Sequence, residues 1–271
     1  MTWISRQFLF AALAAAACFA ATVPAAAQAA GYGNWAAVVV AGDNRAHDGG
    51  HSEAFDNARR DVSNELERLG FSAGNLDQFS IEPERHPETH PEEATAQNIA
   101  NGLWDLSNRT SGGCLLYFSS HGSPQGLILG ETVLQPDALA TMTENACGDR
   151  PTVVIVSACY SGVFVPAMAA PNRLVITAAR SDRTSFGCGQ DDRYPYFDTC
   201  VLQQMPAAGS FPRLAGTVRK CVARREQQTG MRPPSDPQVA IGAEVAPELP
   251  TWGDAGPQGA RSDPGPPPFH D

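Results

Sequence analysis

Several features that would assign this chain to a common functional class are missing from its 271 residues. No Cys-x-x-Cys pair occurs, which ranks a secreted redox or disulfide-exchange protein last among the alternatives. Basic residues are few, because 19 Lys and Arg face 29 Asp and Glu. The resulting net charge of −10 argues against a nucleic-acid binder, which needs a basic surface. No internal repeat is present, so a repeat array is not indicated.

A hydrophobic run long enough to span a membrane comfortably is also missing. The apolar stretch of residues 8–23 that follows Arg6 is shorter than a typical span and has no flanking stop-transfer charges. The small residues of Ala27-Gln28-Ala29 suit a signal peptidase, so residues 1–29 are predicted to be a cleaved secretory signal. We therefore expect an exported protein, periplasmic or secreted, with no stable membrane span after cleavage. An uncleaved anchor and lipidation at Cys18 are the alternatives.

The spacing of a typical metal site is missing as well. The histidines of the polar segments match neither the helical nor the cysteine-based spacing of such sites; they are His47, His51, His86 and His90. Solvated loops are the favoured interpretation of these segments. No metal and no cofactor are predicted.

The sequence does contain a regular alternation of strand and helix patterns. Apolar runs predict strands over residues 35–42, 78–81, 115–118, 153–156, 173–179 and 237–241, and a hairpin over 126–134. Helical periodicity covers residues 55–69, 94–106, 136–146 and 211–228. This rhythm predicts one α/β domain over residues 30–244, a mostly parallel sheet of about six strands flanked by helices on both faces. The residues 245–271, rich in Pro and Gly, are predicted to be a disordered tail.

Two of the apolar runs end in reactive side chains. The run at residues 115–118 leads to His121, and the run at 153–156 leads to Cys159, 38 residues further on. Taken alone, each is more often a structural residue than a catalyst. The carboxyl ends of parallel strands form one crevice, however, so the pair is predicted to place an imidazole and a thiol together. That juxtaposition is what a Cys/His hydrolase requires.

The glycine after the histidine has a use in the same chemistry. Attack of a thiolate on an amide carbonyl builds an oxyanion, which needs preorganised N–H donors. Gly122 lets the backbone approach a substrate closely, and the N–H of Cys159 is the expected second donor. Ser161 and Gly162 are expected to begin a helix whose dipole would favour the thiolate.

These residues resemble a known family. Ser120-His121-Gly122 and the segment Ser157-Ala158-Cys159-Tyr160-Ser161-Gly162 are similar to the His-Gly and Ala-Cys signatures of the legumain-type cysteine peptidases, which have the caspase-like fold. The resemblance extends over residues 35–242 and includes the opening strand and the segment around residues 177–188. It implies an endopeptidase that acts on peptide or protein substrates through a Cys159/His121 dyad.

The resemblance also assigns the residues around the dyad. Asp48 lies where the family has its third catalytic residue, an asparagine, so the implied catalytic group is Cys159, His121, Gly122 and Asp48. The implied substrate-binding residues are His51, Ser157, Ser185 (or its neighbour Thr184) and Asp198. Ser157 replaces a pocket glutamate and Gly50 replaces an arginine, so we expect a polar S1 pocket without a defined preference for asparagine.

The remaining cysteines are consistent with export. Removal of the signal would leave six, and if Cys159 stays free, at least one more thiol is unpaired. Cys114 and Cys147 are a candidate pair, and Cys188 could join Cys200 or Cys221. A catalytically silent caspase-like binding module is the alternative to the peptidase. The sequence leaves the oligomeric state open.

Overall fold

The computed structural model describes residues 31–253. The predicted signal peptide at residues 1–29 lies outside the described residues and stays a prediction. Between residues 31 and 253, no helix is both long and apolar enough to cross a membrane.

Within residues 31–253, ten strands form two sheets. They are β1 (Ala36–Ala41), β2 (Leu76–Ser80), β3 (Glu92–Glu93), β4 (Cys114–Ser119), β5 (Gly122–Ser123), β6 (Gly126–Leu129), β7 (Thr132–Leu134), β8 (Thr152–Ser157), β9 (Arg173–Thr177) and β10 (Gln238–Ile241). The main sheet has the order β10-β9-β8-β4-β1-β2-β3, and β5, β6 and β7 form a small second sheet. All neighbours in the main sheet are parallel except β10, which runs antiparallel to β9. The predicted α/β class is confirmed, with seven strands because the two-residue edge strand β3 adds to the six expected.

Seven α-helices accompany these strands. They are α1 (Ala54–Arg68), α2 (Ala96–Arg109), α3 (Pro136–Cys147), α4 (Phe164–Met168), α5 (Tyr196–Ala208), α6 (Phe211–Gln228) and α7 (Val245–Glu248). The apolar side chains of α1, α5 and α6 share one core cluster, and those of α2, α3 and α4 share the other. Helix α5 was not predicted from the sequence.

Alternation along β1 shows how one strand serves both cores. Ala37 and Val39 face the cluster beneath α1, α5 and α6, while Val38 and Val40 face the opposite cluster. Every residue of β1 is buried, because helices cover both faces of the sheet. A strand in that position must be apolar at consecutive residues, which is why it is a continuous hydrophobic run in the sequence.

Two disulfides reinforce the layers. Cys114 at the start of β4 is bonded to Cys147 at the end of α3, as expected. Cys200 of α5 is bonded to Cys221 of α6, so the expectation that Cys188 would join one of them is wrong. The two helices pack side by side and bring their own cysteines together, which leaves Cys188 as the additional free thiol.

The predicted start of the disordered tail, residue 245, lies in a folded segment of the chain. Residues 245–253 include α7, and Trp252 packs in the core, where its ring contacts Phe211 and its indole N–H donates to the Met205 carbonyl at 2.8 Å. The Tyr32 hydroxyl donates to the Pro250 carbonyl at 2.6 Å. Apolar side chains therefore anchor a segment whose Pro and Gly content suggested disorder. Residues 254–271 lie outside the described part of the chain.

Candidate active site

The register of β4 and β8 places the two reactive side chains at one edge of the sheet. Ser119 of β4 is directly opposite Ser157 of β8, and the Ser120 N–H donates to the Ser157 carbonyl at 3.0 Å. His121 and Cys159 each follow the paired serines by two residues. The parallel strands therefore deliver both to the same level of the crevice, as the sequence predicted.

Close packing joins the segments that carry these side chains. A Cβ placed on Gly122 would lie 2.1 Å from the carbonyl oxygen of Cys159 and 3.0 Å from the Cβ of Ala158. Only glycine fits there, because real Cβ contacts are never so short. The His-Gly segment thus rests directly on the backbone of Cys159.

The Cys159 sulfur lies against Ser185 in the loop after β9, whose carbonyl oxygen is 3.6 Å from Sγ and accepts from the thiol. The Ser185 N–H donates to Sγ at 3.2 Å, and the Ser185 hydroxyl lies 3.5 Å from the same sulfur. Hydrogen bonds of this kind stabilise a thiolate. Ser185, assigned to substrate binding by resemblance, therefore contacts the candidate nucleophile itself.

The backbone turns sharply after Cys159. Tyr160 has a left-handed conformation with φ of 56°, and its N–H donates to the Arg183 carbonyl at 2.7 Å. The Cys159 N–H makes no hydrogen bond to a backbone oxygen of residues 31–253, so it can donate to a ligand. The predicted helix start is only a 3₁₀ turn over Ser161–Val163 that leads into the five-residue α4, so the helix dipole at the sulfur is smaller than expected.

His121 is oriented by a backbone carbonyl. Its Nε2 lies 2.7 Å from the carbonyl oxygen of Arg45, and its ring packs edge-to-face on Phe55 at a centroid distance of 5.0 Å. A carbonyl oxygen only accepts, so Nε2 carries the proton and Nδ1 of the neutral ring is left free to accept one.

The structure does not bring the side chain of Asp48 to the imidazole. The group that holds the imidazole is the Arg45 carbonyl, and not the side chain of Asp48. Asp48 is exposed and accepts hydrogen bonds from the Gln190 side chain at 3.0 Å and from the Gly50 N–H at 3.1 Å. These two bonds lower its pKa, so Asp48 is a charged bridge between the loops on either side of the crevice.

His51 lies on the rim of the site. Its Nε2 is 3.0 Å from a carboxylate oxygen of Glu82, and its side chain is about half exposed. In the structure its ring therefore pairs with a surface carboxylate.

Ser157 and Asp198, also assigned to substrate binding, lie beneath the strand ends. Asp198 is fully buried and Ser157 is 2% exposed. The Asp198 carboxylate accepts hydrogen bonds from the Ser157 hydroxyl at 2.6 Å, the Ser119 hydroxyl at 3.0 Å and the Tyr117 hydroxyl. Burial raises the pKa of Asp198 to about 6, although the hydrogen bonds to the carboxylate act to lower it. The structure thus differs from the prediction, because these groups satisfy one another and neither is open to a ligand.

Metal binding has no support from the geometry. Within residues 31–253, no group of three or more His, Cys, Asp or Glu side chains is arranged to hold a metal ion.

The second free thiol, Cys188, is half-buried, and burial raises its pKa far above the usual value. Cys188 is therefore protonated at neutral pH.

Two groups at this site were missed in the sequence. The Arg45 carbonyl could not be found, because every residue has one. Asp43 could have been found in the sequence, because an Asp directly after a strand often folds the next residues into a turn. Its carboxylate accepts hydrogen bonds from the N–H groups of Asn44 and Arg45 and pairs with the Arg45 guanidinium.

Comparisons with known proteins bear on the family and the fold of this chain. Residues 96–209, which include His121 and Cys159, match the sequence profile of the Peptidase C13 family. The fold is similar to that of caspase-1 from Spodoptera frugiperda, with a TM-score of 0.58 and 15% sequence identity over 81% of this chain and 92% of that chain. No curated protein matches the sequence. The expected caspase-like fold is confirmed.

Proposed function

The family match and the structural similarity both support a legumain-type cysteine peptidase of caspase-like fold, and on that basis we propose that this chain hydrolyses peptide bonds with Cys159 as nucleophile and His121 as general acid and base. The observation that carries the proposal is the packing of Gly122 on the Cys159 backbone. This packing brings the segment that carries His121 against the backbone of Cys159, which supports the proposal that the imidazole, the thiol and the backbone N–H groups act at one position.

In the first step, the Cys159 thiolate attacks the carbonyl carbon of the scissile peptide bond. The C–N bond order falls as a tetrahedral oxyanion forms, and the N–H groups of Gly122 and Cys159 stabilise its negative charge. His121 has taken the Cys159 thiol proton on its free ring nitrogen and now donates it to the leaving nitrogen, the C–N bond breaks, and a thioester to Cys159 remains. The Ser185 N–H, 3.2 Å from Sγ, donates to the sulfur before the attack.

In the second step, water hydrolyses the thioester. His121 is now neutral, and it takes a proton from the attacking water through its free ring nitrogen. The new C–O bond replaces the C–S bond, so the acid product leaves and the Cys159 thiolate is regenerated. The Arg45 carbonyl fixes the imidazole through both steps, because it holds the other ring nitrogen.

The substrate is proposed to be a peptide or protein that lies in the crevice between the two loops joined by Asp48 and Gln190. The exposed Asp48 carboxylate gives this crevice a polar rim. Buried Asp198 and Ser157 would contact a substrate only if the strand ends opened, so their proposed part is to support the edge from below.

The test is covalent capture of the nucleophile. Mature protein beginning at Ala30 is treated with peptidyl acyloxymethyl ketones that vary only at P1, and adducts are read by intact mass and peptide mapping. We expect one adduct on Cys159, lost in Cys159→Ala and strongly slowed in His121→Ala. Cys159→Ala should also abolish peptide hydrolysis and keep the wild-type circular dichroism spectrum.

Cys188→Ser is the matched control, because it removes the other free thiol of the described residues. It should react like the wild type. Hydrolysis retained in Cys159→Ala, or an adduct that maps to Cys188, would refute the assignment.

One observation favours a catalytically silent binding module as the second candidate. The Gln190 side chain occupies the space above Gly50, where a Cβ would lie 2.3 Å from its Cδ, and the buried Asp198 is closed to solvent. A crevice narrowed in this way would bind a peptide without cutting it. Absence of any adduct from folded, reduced protein would favour this candidate.

We propose further that the protein is exported. The leader-like residues 1–29 motivate this, and the two disulfides support it, because such bonds persist in oxidising compartments. N-terminal sequencing of the protein recovered outside the cytoplasm should begin at Ala30. A chain that keeps Met1 in the cytoplasm would contradict export.

A further inference from the structure

We propose that Asp43 is a positioning residue for His121, because its carboxylate fixes the Arg45 peptide whose carbonyl orients the imidazole. The inference rests on the proposed function and extends it to a side chain that touches neither His121 nor Cys159. It assigns the third member of the site to a carboxylate acting through a backbone group.

The two oxygens of the Asp43 carboxylate accept their hydrogen bonds from the next two residues. Oδ1 accepts from the N–H groups of Asn44 at 2.8 Å and Arg45 at 3.1 Å. The Arg45 guanidinium then returns to the same carboxylate, with Nε 3.0 Å from Oδ1 and Nη2 3.1 Å from Oδ2. Asp43 is 2% exposed, so these bonds are shielded from water and from salt.

Together these bonds hold both ends of Arg45. The backbone N–H is fixed by a turn of the Asx type, and the end of the side chain is fixed by a two-oxygen ion pair. The peptide between them has little freedom, although the Arg45 side chain is 45% exposed. Its carbonyl oxygen is the atom that lies 2.7 Å from His121 Nε2.

The loop that follows β1 and carries Asp43 and Arg45 is also anchored, at its start, to the segment that carries His121. The Gly130 N–H donates to the Gly42 carbonyl at 2.8 Å, and the Ile128 N–H donates to the His121 carbonyl at 3.0 Å. A Cβ on Gly42 would lie 2.4 Å from the Ile128 carbonyl oxygen. The end of β1 and the hairpin of β6 and β7 are thus one packed unit. Asp43 determines the path of the backbone from this unit to Arg45.

The chemical consequence concerns the proton on His121. While the Arg45 carbonyl accepts from Nε2, the neutral ring keeps its other nitrogen unprotonated and available. If the carbonyl moves, either tautomer forms and the ring can turn about its χ angles. A misplacement of about 1 Å at a catalytic group costs on the order of 100-fold in rate.

The experiment compares three variants in the full mature chain. Asp43→Ala removes every acceptor. Asp43→Asn keeps Oδ1 for the two backbone N–H groups and loses the charge. Glu131→Gln is the matched control, because Glu131 pairs with the same guanidinium at 3.2 Å but is 90% exposed and touches no backbone N–H of the loop.

The primary readout is the tautomer of His121, observed in long-range ¹H–¹⁵N NMR spectra at alkaline pH and assigned with His121→Gln. Wild type and Glu131→Gln should show the Nε2–H form alone, and Asp43→Ala should show a mixture. On a cleaved peptide, Asp43→Ala should lower kcat by about 10- to 100-fold with little change in KM. Asp43→Asn should restore most of that loss, because the turn survives.

The tautomer can be read whether or not the protein cleaves peptides, so it separates failure of this inference from failure of the proposed function. A folded Asp43→Ala protein with the wild-type tautomer and kcat would overturn the proposal. If Asp43→Ala does not fold, the test is the His121 tautomer in the wild-type spectrum. An Nδ1–H form of His121 there would overturn the proposal as well.

Discussion

Gly122→Ala is the substitution for which the structure gives the sharpest expectation. The added Cβ would lie 2.1 Å from the Cys159 carbonyl oxygen, whereas an ordinary carbon–oxygen contact is about 3.3 Å or longer. One of the two segments must therefore move by about 1 Å, which is enough to cost on the order of 100-fold in catalytic rate. In the transition-state free energy, that loss is about 3 kcal/mol. Overpacking should also lower the free energy of unfolding by about 1–3 kcal/mol.

The assay is kcat/KM on the best peptide of the P1 panel, with urea denaturation of the same samples. Gly216→Ala is the matched control, because no atom lies within 4 Å of its added Cβ on helix α6. That control should keep full activity and gain up to about 1 kcal/mol of stability, since Ala favours the helix. A folded Gly122→Ala enzyme with kcat/KM close to the wild type would refute the argument that contact between the two segments positions the site.

Two further predictions concern stability. The pKa of Asp198 is about 6 in the folded chain against 3.8 for the unperturbed group, so the folded state holds the proton more tightly and loses stability as pH rises from about 4 to 6. Urea denaturation should show the wild type losing about 3 kcal/mol relative to Asp198→Asn over that window, and a difference independent of pH would contradict it. Replacing Cys114 and Cys147 together by Ser should lower the free energy of unfolding by about 4 kcal/mol, because their bond closes a 33-residue separation. Unchanged urea midpoints would show that the bond does not form in solution.

Much of the fold could be predicted because the buried sheet leaves a strong pattern in the sequence. The strands that carry His121 and Cys159 are continuous apolar runs, as strands covered on both faces must be. Helix α6 was predicted with its observed bounds, because one apolar face repeats with helical spacing. The juxtaposition of the two reactive side chains followed from strand direction alone.

The remaining features depend on contacts between distant residues. Helix α5 contains Pro206 and packs through many apolar side chains, so no polar face marks its period. The Arg45 carbonyl has no side-chain signature, so the family resemblance points to Asp48 instead, because a resemblance compares side chains and every residue has a carbonyl. The buried Asp198 on α5 is satisfied by three hydroxyl donors on β4 and β8, and no local sequence pattern indicates these contacts.

The two disulfides also determine how the protein has to be prepared. Cys159 and Cys188 are the free cysteines of residues 31–253, whereas the four others are paired. Recombinant chain that begins at Ala30 and is made in a reducing cytosol would expose six thiols on denaturation, and the same chain correctly oxidised would expose two. Counting thiols in denaturant therefore grades each batch before any activity is measured, and a batch that titrates above two contains chains that lack the bond between β4 and α3 or the bond between α5 and α6.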